Sequence, residues 1–152
     1  MGFLEIFSKP FKQNKPTKTE SNIEYKAPTQ AQFYEHTNSP ITKKHFHLLD
    51  REIVLYKHIC QTGDCSGSVA RELIEVCNED IAIADEYRVL CNRCNQPVPR
   101  YPAFKYLAML FEKRGEYRAA ISTCEVAIAK GHEDDGTKGG MQGRIERLRK
   151  KV

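Results

Sequence analysis

Two cysteines, Cys91 and Cys94, are separated by two residues in the segment LCNRC (90–94). Such a C-x-x-C pair supplies two of the four ligands of a structural zinc ion, so the fold must bring further ligands to complete a site. Without them, the two residues are ordinary thiols in a loop between helices. The elements around the pair decide between these interpretations.

Four of the cysteines cannot share one metal ion. If the helix before the pair spans 68–87, its two ends lie about 30 Å apart at 1.5 Å per residue. Cys60 and Cys65 precede this helix, whereas Cys91 and Cys94 follow it. Cys60 and Cys65 therefore cannot complete a zinc site at Cys91 and Cys94.

His45 and His47 begin the preceding predicted helix, and an antiparallel hairpin brings them toward Cys91 and Cys94. The two histidines are two residues apart and point to different sides of a helix, so only one of them could readily bind a metal. We therefore expect no cofactor, with zinc held by this Cys and His set as the alternative.

The other thiols carry no case for catalysis. Cys77 and Cys124 lie on predicted apolar stripes and are expected to be small core residues. Cys91 and Cys94 lie in a predicted proline-bounded loop, so we expect them to react faster with an alkylating reagent.

Motifs of catalytic sites do not occur in the chain. It has no G-x-S-x-G, H-E-x-x-H or phosphate-loop pattern. The glycine-rich segment DDGTKGG (134–140) lacks P-loop spacing and is predicted to be a structural turn. The sequence therefore predicts a protein that is not an enzyme.

The length and composition of the chain predict one globular domain. The chain has 152 residues, 40% of them hydrophobic, and a net charge of +4 that is too small and too evenly spread to indicate nucleic acid. No apolar run approaches the roughly 20 residues of a membrane span, so no membrane insertion is expected. A cytoplasmic protein with reduced cysteines is predicted.

The first 40 residues are predicted to be a flexible tail. Residues 9–40 are mostly polar, with Pro10, Pro16 and Pro28 in the stretch 9–30, and they include His36, which is expected to have no fixed position. Residues 2–8 contain Phe3, Leu4, Ile6 and Phe7, a short amphipathic start that is too short for a strong membrane anchor.

Residues 41–152 are predicted to be all-α. Apolar residues at spacings of three and four, with glycine and proline at the breaks, predict helices over 41–59, 68–87, 102–114, 117–130 and 141–151. The expected core stripe of the first helix is Phe46, Leu49, Ile53, Tyr56 and Ile59. That of the second is Leu73, Cys77 and Ile81. The last helix places Met141, Ile145 and Leu148 on one face and Arg144 on the basic other face.

The third and fourth helices carry the most informative spacing. The residues concerned are Phe104, Leu107, Ala108, Phe111, Gly115, Tyr117, Ala120, Cys124 and Ala127. This segment resembles a tetratricopeptide repeat, in which small residues let two helices approach closely while larger ones fill the groove between them. His132 departs from the family pattern, which has proline there, so Gly131 is expected to end the second helix.

The resemblance implies a short right-handed array of stacked helical hairpins. The segment 74–82 echoes 121–129, so 41–87 is a degenerate first hairpin, 101–131 a clearer second one and 141–151 a capping helix.

Repeats of this family usually bind a partner peptide on the face lined by the first helix of each pair. The matching positions are Lys105, Met109, Glu112 and Lys113, so the resemblance implies a non-catalytic scaffold or adaptor whose partner is another protein. The alternative is a small zinc-binding or nucleic-acid-associated protein that uses Cys91, Cys94 and the basic last helix.

Overall fold

The computed structural model describes residues 25–152, and the regular secondary structure within that range is entirely helical. The helices are α1 (Gln30–Asn38), α2 (Pro40–Thr62), α3 (Ser68–Arg93), α4 (Pro102–Lys113), α5 (Tyr117–Ala129) and α6 (Gly140–Arg149). The all-α prediction is confirmed. The predicted amphipathic start at 2–8 lies outside the described residues.

Proline and glycine set several helix ends. Pro40 and Pro102 occupy the first helical positions of α2 and α4, where a missing N–H costs nothing. Gly63 ends α2 with φ of 73°, and Gly131 follows α5 with φ of 76°, a backbone conformation that glycine adopts without strain. The bounds of α4 and α5 lie within one residue of the predicted ones.

Helix α1 lies in the range predicted to be a flexible tail, so the predicted start of the helical domain at residue 41 is wrong. Thr29 caps the helix: its side chain accepts a hydrogen bond from Gln32 N, and the Gln32 side chain accepts one from Thr29 N. This reciprocal capping box stabilises the first turn. His36 is therefore a helical residue, which corrects the expectation that it has no fixed position.

Helix α3 continues six residues beyond its predicted end at residue 87. Helix-compatible residues extend to Arg93, and the first proline of the following segment is Pro97. Cys91 therefore lies within the last turn of a helix, and Cys94 is its C-cap. The prediction that this pair lies in a loop is wrong for Cys91.

Each long helix packs against its neighbour in sequence. α2 pairs with α3 and α4 pairs with α5, while α3 and α2 both contact α4 and α6 packs on α5. Short loops join the paired helices, so each pair is an antiparallel hairpin. Within residues 25–152, none of these helices combines the length and the apolar character needed to cross a bilayer.

Two small residues of the second hairpin, one on α4 and one on α5, are fully buried. Ala108 and Ala120 are fully buried, and Phe104, Leu107, Cys124 and Ala127 are buried around them, whereas Phe111 is half-buried. Alanine at a crossing lets two backbones approach closely, because no larger side chain separates them.

We expect Ala120→Leu to lower the free energy of unfolding by about 1 to 3 kcal/mol, because extra methylene groups at a packed crossing force their neighbours to move. Ala129→Leu is the matched control, since Ala129 is exposed on the same helix and surface changes usually stay within about 0.5 kcal/mol. Urea denaturation measures both. Equal losses would contradict the close α4 to α5 crossing.

Candidate functional site

The helix α2 turns a different face to the core than its hydrophobic pattern predicts. Phe46 is 48% exposed and Ile53 is 45% exposed, so the predicted core stripe is wrong for both. The buried residues of α2 are Thr42, His45, Leu48, Glu52, Leu55 and Ile59. Both sets repeat at spacings of three and four residues, so they run side by side along the helix.

The displaced stripe forms a partly exposed surface with α4. Tyr56 donates a hydrogen bond from Oη to Met109 Sδ at 3.6 Å, and its ring stacks on Tyr106 with 4.7 Å between centroids. Phe46, Leu49 and Ile53 precede Tyr56 on the same side of α2. We call this surface the apolar strip, which comprises Phe46, Leu49, Ile53, Tyr56, Tyr106 and Met109.

Two depressions adjoin the apolar strip. The first, of about 440 Å³, lies between α1 and α2 and has His36, Thr37 and Phe46 in its lining. The second, of about 320 Å³, lies between the start of α4 and the loop after α5 and includes Tyr106 and Lys105. The strip is therefore bordered by concave surface that a side chain can enter.

Two of the predicted partner-binding residues hold other parts of the fold. Lys105 Nζ donates a hydrogen bond to the carbonyl oxygen of Asp135 at 3.0 Å. Glu112 Oε1 accepts a hydrogen bond from Lys151 Nζ at 2.7 Å, and Glu112 Oε2 lies 3.7 Å from Arg144 Nη1. Both side chains thus connect α4 to the C-terminal part of the chain.

The other two predicted residues, Met109 and Lys113, lie toward the strip. Met109 is half-buried beside Tyr56, and Lys113 is exposed and forms no ion pair within residues 25–152. They are four positions apart on α4, so both face the same side of that helix.

A buried aspartate fixes the loop between α5 and α6. Asp135 Oδ2 accepts a hydrogen bond from Arg144 Nη2 at 2.9 Å, and Asp135 Oδ1 accepts one from Thr137 N at 2.9 Å. Burial alone would raise the pKa of Asp135, but these hydrogen bonds outweigh it and hold the pKa below its usual value. Arg144 is buried with Met141, so its predicted place on the exposed basic face is wrong.

Beneath the strip lies a buried polar cluster of four residues, which are His45, Glu52, Asp80 and Tyr101. His45 Nδ1 lies 2.8 Å from Asp80 Oδ1, and Tyr101 Oη donates to Asp80 Oδ1 at 2.9 Å and to the Asp80 carbonyl at 2.8 Å. Because a carboxylate oxygen only accepts, His45 Nδ1 carries the hydrogen. The cluster thus joins α2, α3 and the residue that precedes α4.

Glu52 is a member of this cluster whose pKa is clearly raised by its surroundings. Neither of its carboxyl oxygens nor Asp80 Oδ2 receives a hydrogen bond from an N–H or O–H group within residues 25–152. Burial, the Asp80 charge and contact with the Asp80 side chain raise the pKa of Glu52 to about 9. The raised pKa favours the protonated form of Glu52 at neutral pH, in which one carboxyl oxygen carries a hydrogen and can donate.

The cluster has the residue types of an acid and base site but not the access that catalysis needs. His45 is 1% exposed, and Glu52 and Asp80 are 0% exposed. The His45 ring lies between those of Tyr87 and Tyr101, with centroids 4.7 and 4.6 Å away. A general base must reach its substrate within hydrogen-bond distance, so this arrangement serves the fold.

The alternative zinc ligands are not gathered into one site. His45 Nδ1 contacts Asp80, and His47 is exposed. Cys91 Sγ lies 3.6 Å from Nε2 of His36, which the sequence did not suggest as a neighbour. Among residues 25–152, no three His, Cys, Asp or Glu side chains are arranged to hold a metal ion.

The structure removes the reason for expecting Cys91 and Cys94 to react faster, which was their predicted place in a loop. Cys91 and Cys94 are buried, like Cys77 and Cys124, whereas Cys60 is exposed. Burial raises the pKa of the Cys91 thiol, and it raises that of Cys124 to about 11. Cys60 is therefore the thiol in this group that a reagent reaches first.

Comparison of the chain with protein-family models, with curated proteins and with solved structures finds no match. The functional argument therefore depends on the residues themselves. The polar cluster was missed because its members look like surface residues, although the spacing of His45, Leu48, Glu52 and Leu55 is also that of one helix face.

We expect Glu52→Gln to remove one source of pH-dependent stability. The pKa of Glu52 rises from a usual value of 4.5 to about 9 on folding, so its contribution to stability is fully present below pH 4.5 and is lost as pH rises toward 9. The wild-type free energy of unfolding should therefore fall relative to that of Glu52→Gln across this window, as urea titrations at several pH values would measure.

The matched control is Glu86→Gln, because Glu86 is exposed on α3. Its unfolding free energy should follow the wild type at every pH. Parallel curves for wild type and Glu52→Gln would contradict a protonated Glu52 in the folded chain.

Proposed function

We propose that this chain is a non-catalytic protein-interaction module whose apolar strip receives an apolar segment of a partner protein. The observation that carries the proposal is the exposure of Phe46 and Ile53 beside half-buried Leu49 and Tyr56. A contiguous apolar surface left open to water is typical of an interaction site, whereas scattered apolar residues are not.

The repeat-like organisation of the second hairpin supports this proposal. The spacing of Phe104, Ala108 and Ala120 is that of a tetratricopeptide repeat, and all three residues are buried. In that family the first helices of successive pairs line the binding face. Here α2 and α4 meet through Tyr56 and Met109 on the face that carries the strip.

The proposal revises the binding residues that the resemblance implied. Met109 and Lys113 stay in it, because one belongs to the strip and the other is exposed beside it. Lys105 and Glu112 are assigned to holding the loop and α6. The added binding residues come from α2, with Ile53 at the middle of the strip.

The zinc or nucleic-acid alternative has less support. Within the last helix and its end, Arg149 pairs with Glu125 at 3.4 Å and Lys151 pairs with Glu112 at 2.7 Å, while Arg144 is buried. Basic side chains that are already paired with carboxylates attract phosphate weakly, because the opposite charges cancel.

We expect Ile53→Glu to weaken capture of the partner at least about tenfold, because a carboxylate placed in an apolar contact costs at least about 1.4 kcal/mol. Val54→Glu is the matched control, because Val54 is 60% exposed on another side of the same helix. This variant should capture the partner as well as the wild type does. Affinity capture from native cell extract with quantitative mass spectrometry measures both variants.

Both substitutions lie on the surface, so each should leave the melting temperature almost unchanged. Equal capture of the partner by Ile53→Glu and by the wild type would contradict binding through the apolar strip. Loss of the partner with both variants would contradict the assignment to this face of α2.

A further inference from the structure

We infer that the segment Phe3–Phe7 of this same chain docks on the apolar strip and competes there with the partner. The inference rests on the proposed function for the role of the strip, but the docking itself requires only this chain. Three observations carry it: the composition of the segment, the length of chain that connects it to the described domain, and the surface it would cover.

The segment has the composition that an exposed apolar surface binds. Four of its five residues are Phe3, Leu4, Ile6 and Phe7, with Glu5 between them. The 17 residues from 8 to 24 are mostly polar, and their large apolar residues are Phe11 and Ile23. The apolar side chains outside the described domain are thus concentrated in one short segment.

The connecting chain is long enough to reach every part of the strip. Seventeen residues span at most about 56 Å at about 3.3 Å per residue. An unstructured chain of that length would have a root-mean-square span of about 23 Å, and a domain of the described size has a radius of gyration of about 14 Å. The described chain begins at Tyr25, just before α1, which packs against α2.

Covalent attachment makes even a weak contact effective. A short flexible linker gives an effective concentration in the millimolar range, so a segment with an intrinsic dissociation constant of about 1 mM covers its site about half of the time. Such docking shields Phe46 and Ile53 from water when no partner is present, and a tighter partner displaces it.

The strip also provides space for large side chains. The depression of about 440 Å³ beside Phe46 and the one of about 320 Å³ beside Tyr106 both open to the surface. A phenyl ring fits within either volume. Phe3 and Phe7 are therefore the side chains that we expect to contribute most.

The first test places a photoreactive benzoylphenylalanine at position 3 of the full-length chain and maps its crosslinks by mass spectrometry. We expect crosslinks within one chain to the apolar strip, Met109 among them. They should be independent of protein concentration, lost with Ile53→Glu and retained with Val54→Glu. Crosslinks scattered over other surfaces, or crosslinks only between copies, would overturn the inference.

The second test measures binding of a fluorescent peptide with the sequence MGFLEIFS to the full-length chain. The double variant Phe3→Asp with Phe7→Asp should bind this peptide at least about twofold more tightly than wild type, because its own segment no longer competes. Thr17→Asp with Thr19→Asp adds the same charge and should match wild type. Equal affinity for all three proteins would overturn self-docking.

The two proposals fail in different ways. If Ile53→Glu abolishes partner capture while the crosslinks avoid the strip, the proposed function stands and self-docking is wrong. If the crosslinks map to the strip while Ile53→Glu leaves partner capture unchanged, self-docking stands and the proposed function is wrong.

Discussion

The hydrogen-bonded carboxylate of Asp80 determines how the helices of this protein are arranged. It lies fully buried on α3 and is reached by His45 of α2 and by Tyr101 at the start of α4. A buried carboxylate without partners is costly, so these residues must lie close to it in the folded state. The rotation of α2 and the position at which α4 begins both follow from that requirement.

The same requirement explains why an apolar stripe remains exposed. Once His45 and Glu52 face the core, the side chains about a quarter-turn around α2, such as Phe46 and Ile53, must face the solvent. A buried polar cluster adds less stability than an apolar core of equal volume would. Its effect here is to fix one orientation of α2 and to leave an apolar surface of that helix exposed to solvent.

Sequence patterns predicted the helix ends, which depend on neighbouring residues. They missed the orientation of α2, which depends on a contact between residues distant in sequence. Proline at Pro102 and glycine at Gly131 mark helix ends by their own backbone preferences, so α4 and α5 were placed within a residue. The face of α2 was predicted wrongly because hydrophobicity alone favours Phe46 over its neighbour His45. The partner that decides between them, Asp80, lies 35 positions away, and no local pattern reveals that contact.

The most direct test of this account compares His45→Ala and Phe46→Ala, two neighbouring residues on α2, by their free energies of unfolding in urea. The account predicts that His45→Ala lowers stability by about 3 kcal/mol or more, because it leaves the Asp80 carboxylate buried with one partner fewer. Phe46→Ala should cost less than about 1 kcal/mol, because the side chain is half exposed. A larger loss for Phe46→Ala than for His45→Ala would show that α2 is turned the other way.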